Sequence, residues 1–266
     1  MANTLRQLLK SCGSCILASA FYLCMQTTTL AAETMAPPGV DITGVWLGVG
    51  HAADGKYKNS PYPYPPPFTE KGRELSRFWA DPKNNLGVRC LPGGGPAGMM
   101  NGSDYFPIEI IQRPEQVTIL LELMQQVRRV YMDGRGHPDP DDLEHTWMGH
   151  SIGHWEGDTL VVDTVGVKAG ALNGSGAAVV KFKTDKDPRM PYSKTLHAIE
   201  HIHQIEDGQI LEDKITIDDP IVYTRPYTIT RYWRRSPDIN MMEYICSENL
   251  RPQDEGYSHL LEDKSQ

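Results

Sequence analysis

From residue 106 onward the chain alternates apolar and polar positions with a period of two, and turn residues interrupt the alternation at short intervals. That is the signature of strands with one buried face. It predicts strands over residues 106–112, 147–155, 159–167, 195–205, 210–217, 228–234 and 241–246, and one long strand over 117–124 that runs on through 126–132. Turns are predicted at 113–116, 156–158 and 206–209, with Gly157 free to take positive φ. Upstream, residues 41–50 read as a first strand whose glycines suit a bend or a close backbone approach. The stretch 57–67 contains five prolines and cannot lie inside a sheet. Residues 69–78 carry a helical pattern with Thr69 as N-cap. No repeat of fixed period is found.

Strands at hairpin spacing with so little helix predict an all-β protein with a single domain over residues 41–250. The expected architecture is an antiparallel meander closed into a lipocalin-like β-barrel, with a β-sandwich as the alternative. Closure is favoured because it leaves no unpaired edge. Gly44-Val45-Trp46 also resembles the Gly-x-Trp of lipocalins. There the Trp plugs one end of the barrel beneath a late-strand Arg, a place for Arg231 or Arg234 in this chain.

The first 32 residues change how the cysteines and the charge are read. Arg6 and Lys10 precede an apolar run over about residues 15–25, and Leu30-Ala31-Ala32 offers small residues at a cut site. This is the layout of a secretory signal peptide, followed by a linker over 33–40, with a tail over 251–266. The apolar run is short of the roughly 20 residues a membrane span needs, so no stable membrane insertion is expected after cleavage. A periplasmic or secreted location follows. Cys12, Cys15 and Cys24 fall in the leader, leaving Cys90 and Cys246, which are expected to pair in an oxidising compartment. Losing Arg6 and Lys10 takes the formal charge from −8 to −10. An acidic chain without a Lys/Arg stripe is a poor partner for nucleic acid.

The run Thr146-Trp147-Met148-Gly149-His150-Ser151-Ile152-Gly153-His154-Trp155-Glu156-Gly157-Asp158-Thr159-Leu160-Val161-Val162 resembles a large family of exported bacterial proteins of unassigned activity. Arg89-Cys90-Leu91-Pro92, Met132-Asp133-Gly134-Arg135, Tyr223-Thr224-Arg225-Pro226 and Glu243-Tyr244-Ile245-Cys246 fit it too, and the likeness spans most of residues 41–250. The resemblance implies export and a shared fold, and carries over no catalytic role. Members often have Arg near positions 201 and 203, which argues against a metal site built on those histidines.

Candidate chemistry lies where polar residues interrupt apolar strands. Asp133, His150, Glu200 and Glu243 are the candidate acid/base groups, and Asp163 interrupts a run of valines. Arg129, Tyr131, Arg135, Tyr223 and Tyr227 are candidate substrate-binding residues, by charge pairing, hydrogen bonding or stacking. On the strand ending at Met132, either Arg129, Tyr131 and Asp133 or Arg128, Val130 and Met132 face the lumen; alternation alone leaves both open. His197, His201 and His203 share one strand face, as do His150 and His154, but no metal is assigned. Ser151 lies outside a Gly-x-Ser-x-Gly elbow, and there is no dinucleotide fingerprint. The expectation is an exported enzyme without cofactor. It would act by proton transfer in a pocket of the barrel, as a lyase, hydratase or isomerase, on a small, partly apolar organic substrate. Its acid/base groups would have to face inward. The alternative is a lipocalin-like carrier or sensor.

Overall fold

The computed structural model describes residues 36–37, 39–49, 56–60, 63, 65–87, 89–96, 99–100, 106–172 and 189–249. The expected leader, the tail and much of the linker lie outside the described residues.

Nine strands close into a barrel: β1 (Gly44–Gly48), β2 (Ile108–Arg113), β3 (Gln116–Leu121), β4 (Gln126–Tyr131), β5 (His150–Glu156), β6 (Thr159–Val165), β9 (His197–Ile205), β10 (Ile210–Asp218) and β11 (Tyr227–Arg235). Their order around the wall is β1-β11-β10-β9-β6-β5-β4-β3-β2. A two-stranded ribbon of β7 (Gly170–Leu172) and β8 (Met190–Tyr192) stands outside it. The helix α1 (Glu70–Ala80) starts as the sequence predicts: Thr69 Oγ1 accepts the Gly72 N–H at 2.9 Å. Gly72 lets the helix touch the chain after β10, since a Cβ there would sit 2.1 Å from the Val222 carbonyl oxygen.

The barrel and its all-β character agree with the sequence reading, but strict antiparallel alternation does not hold. A closed ring with an odd number of strands requires at least one parallel pair, and β4–β5 is that pair, through Val130↔Ser151 and Tyr131↔Ile152. The loop from Met132 to Gly149 makes the return that parallel pairing needs. Gly149 ends it at φ 69°, where a Cβ would meet the Val165 carbonyl oxygen at 2.6 Å.

Three further expectations are corrected. The long strand over 117–132 is two strands, paired Leu121↔Gln126 through Gln116↔Tyr131. Met124 (φ 62°) and Gln125 (φ 48°) turn the chain without a glycine, so no turn signal marks them. The strand expected at 241–246 is irregular, ending in a short 3₁₀ turn at Cys246–Asn249. β1 already pairs with both β2 and β11, so the closed wall offers this segment no edge. It is held instead by the Met242 N–H to Glu122 Oε2 (2.7 Å) and by the Cys90–Cys246 disulfide, with Cα atoms 5.5 Å apart. Finally, the arginine over Trp46 is Arg235, its guanidinium carbon 4.3 Å from the ring centroid. Trp46 and Arg235 are cross-strand partners. Arg234 points out, and Arg231 points in but lies deeper, donating to the Ser60 carbonyl at 2.7 Å.

The inward faces of the wall carry a packed apolar core. Trp46, Trp233, Ile110, Ile119, Val130, Leu160, Leu211 and Ile215 are buried there. Each contributes about 1.5–3 kcal/mol by leaving water.

Candidate functional site

Two polar clusters stand out, one inside the wall and one outside it. The inner cluster forms where Arg128 on β4 takes the inward face. Its Nη1 donates to Glu200 Oε1 (2.9 Å), its Nη2 donates to Glu200 Oε2 and to Thr164 Oγ1 (2.8 Å), and its Nε donates to Ser151 Oγ (3.2 Å). Ser151 and Thr164 share a hydrogen bond of 2.8 Å. Ser151, discounted as a nucleophile from sequence, is a structural hydroxyl. Asp213 completes the layer from β10, opposite Arg231 in register. It is fully buried, and among the described residues neither carboxylate oxygen has a hydrogen-bond partner. Burial and the nearby Glu200 push its carboxyl well above the usual range, against the pull of Arg128 and Arg231.

The outer cluster is built by the parallel step. Pairing Tyr131 with Ile152 brings the end of β4 to the start of β5, so Tyr131 and His150 meet with ring centroids 5.3 Å apart. The turn after β4 folds back over them. Asp133 grips Arg135, whose Nε donates to both carboxylate oxygens (2.8 and 3.0 Å) and whose Nη2 donates to Oδ2. The guanidinium carbon then sits 4.0 Å from the Tyr131 ring centroid. Further along the loop, His137 Nδ1 is 2.8 Å from His150 Nδ1, and His137 Nε2 is 3.1 Å from Asp163 Oδ1 on β6. His197, from β9, reaches the same oxygen at 2.8 Å.

The charge states follow from these neighbours. Partial burial holds His150 below the usual histidine range, and the neighbouring His137 ring and Arg135 guanidinium push the same way. Burial pushes Asp163 up, but the hydrogen bonds from His197 and His137, helped by the charge on His197, outweigh it and leave the carboxyl below its usual value. The hydrogen bond to Asp163 raises His197 against an opposing effect of burial. The hydrogen bond from Arg135 lowers Asp133.

The structure thus brings together Tyr131, Asp133, Arg135 and His150 of the residues singled out from sequence. Arg129 is exposed on the outer face, on the same side of β4 as Tyr131. Glu200 lies inside, completely buried in its pair with Arg128. Glu243 is exposed on the segment after β11. Its neighbours bind Glu122 and stack on Phe106, at the β3–β4 hairpin end and the length of β4 from Tyr131. Tyr223 and Tyr227 face inward, 4.9 Å apart by ring centroid, and Tyr223 donates to the Pro191 carbonyl at 2.7 Å. They line a narrow apolar crevice with Tyr192, Met100 and Ile217. Among the described residues no group of three or more His, Cys, Asp or Glu side chains has metal-binding geometry. No described helix is long and apolar enough to cross a membrane.

Sequence reasoning groups His137 and His150 with Asp133 and Arg135 but does not bring Asp163 and His197 to them. The register supplies the link: Asp163 sits opposite Ile152 and Ile199, all on the outer face. It also missed Asp213, although that residue shares strand parity with Leu211, Ile215 and Ile217. No protein-family model matches the chain, and no curated protein matches it.

Proposed function

We propose that this chain is an exported enzyme that transfers protons on a small, partly apolar organic substrate at the outer cluster, as a lyase, hydratase or isomerase. The observation that carries the reading is the meeting of His150, held below the usual histidine range, with the Tyr131 ring and the fixed cation of Arg135. A neutral imidazole is a base poised for proton abstraction near neutral pH. Arg135 Nη1 has no protein partner among the described residues, while Asp133 holds the rest of the guanidinium in place. That nitrogen would take a substrate oxygen as negative charge builds on it. Tyr131, Ile152 and Ile199 give the apolar part of a substrate a surface beside the base. In this reading Asp133 positions Arg135, and Glu200 maintains the wall. The Cys90–Cys246 bond fits an oxidising compartment, in keeping with a periplasmic or secreted location.

Deuterium wash-in tests this without a known product. The protein is incubated in D₂O with a panel of small carbonyl and β-hydroxycarbonyl compounds, and exchange at carbon is read by mass spectrometry. Exchange above a heat-denatured control, lost in His150→Gln, is the expected result. No exchange across the panel, or exchange that survives in His150→Gln, would overturn the proposal.

A further inference from the structure

We propose that Asp163 is the positioning residue of the outer cluster, acting through His137 to hold His150 in the tautomer that carries its proton on Nδ1 and leaves Nε2 bare as the base. The functional meaning of this inference rests on the reading of His150 as a base; the tautomer itself does not.

The inference follows from counting protons along the chain of contacts. Asp163 Oδ1 lies 3.1 Å from His137 Nε2 and 2.8 Å from His197 Nε2. An ionised carboxylate accepts hydrogen bonds and donates none, so both ring nitrogens carry a proton. A neutral His137 protonated on Nε2 has a lone pair on Nδ1. The 2.8 Å contact between His137 Nδ1 and His150 Nδ1 then needs its proton from His150. His150 keeps its proton on Nδ1, and Nε2 is left with the lone pair. Free neutral imidazole side chains have no such constraint; here a carboxylate two contacts away supplies it.

The layout also gives an abstracted proton somewhere to go. When His150 Nε2 takes a proton, its Nδ1 proton can pass to His137 Nδ1. His150 is then neutral with its proton on Nε2, and His137 is an imidazolium facing the Asp163 carboxylate. One proton enters and one shifts, so the positive charge settles beside the negative one. The other charged or titratable groups around the chain are Arg135 and Tyr131 beside His150, and Asp218 beside His197. Asp163 belongs to a strand of Thr, Leu and Val, where a carboxylate is disfavoured, and the two histidines are what hold it in that place.

Long-range ¹H–¹⁵N correlation spectra of the imidazoles, recorded on the whole protein at pH 7.5, test the proposal. In the wild type, His150 is expected to show a protonated Nδ1 and an unprotonated Nε2, and His137 the opposite pattern. Asp163→Ala should release His150 to a mixture dominated by the Nε2-protonated form. His197→Gln should leave the His150 tautomer as it is. His137→Phe provides a second break in the chain, with the same expected release, should Asp163→Ala disturb the fold. A wild-type His150 protonated on Nε2, or a tautomer unchanged in both Asp163→Ala and His137→Phe, would overturn the proposal. In the wash-in assay Asp163→Ala should slow exchange about 10²-fold. A tautomer shift in a protein without wash-in would retire the base and leave the positioning intact.

Discussion

The carboxylate of Glu200 receives both terminal nitrogens of Arg128 in the middle of the barrel, and each side chain is shielded from water. A buried pair of this kind is unforgiving of half-removal, because the surviving charge has neither partner nor solvent. Glu200→Ala should therefore lower stability by about 3–5 kcal/mol, read from denaturant unfolding. The double change Arg128→Met/Glu200→Leu should recover most of that loss. A small effect of the single change would mean that water reaches Arg128.

Asp213 makes the same layer sensitive to alkali. Its folded pKa lies well above the unfolded value of about 3.9. The stability linked to its proton is complete below that unfolded value and is lost as pH rises through the folded one. Asp213→Asn should match the wild type most closely in acid and gain an advantage that grows as pH rises toward the folded value of Asp213. Parallel denaturation midpoints across that range would expose a wrong sign.

The outer histidines give the opposite trend at one position. His150 has a lowered folded pKa, so its neutral form is favoured and its contribution is lost as pH falls below the ordinary histidine value of about 6.5. Wash-in should accordingly hold its plateau into mild acid, with an apparent pKa below 6.5. Arg135→Met removes one of the charges responsible and should move that inflection upward. A profile that does not respond to Arg135→Met would separate the guanidinium from the base.

The disulfide ties an early loop to a segment that has no strand of its own. Its closed loop spans 156 residues, and chain-entropy reasoning assigns such a bond up to roughly 5 kcal/mol. Reduction should lower the denaturation midpoint and should expose residues 241–249 to proteolysis before the barrel strands. Equal protection of that segment with and without reductant would contradict the prediction.

Much of the wall was readable in the sequence because a two-residue period reports directly on which side chains are shielded. The faces themselves were not. Arg128 and Arg129 are adjacent and chemically alike, and only the register of β4 against β3 and β5 sends the first inward. The same holds for Arg234 and Arg235, where one step in parity decides which reaches Trp46. The turn at Met124 and Gln125 hid because neither residue type favours positive φ. Single residues of the outer cluster were visible as polar interruptions. Their convergence depends on a parallel pairing that no local pattern encodes.

Because β1 lies between β2 and β11, the first strand of the wall cannot acquire both neighbours until the last has been delivered. A polypeptide emerging from a ribosome or a translocation pore would hold an unsealed sheet, with two sticky margins, until Arg235 has cleared. Premature termination anywhere ahead of Tyr227 should thus yield a species prone to clumping rather than a smaller working barrel.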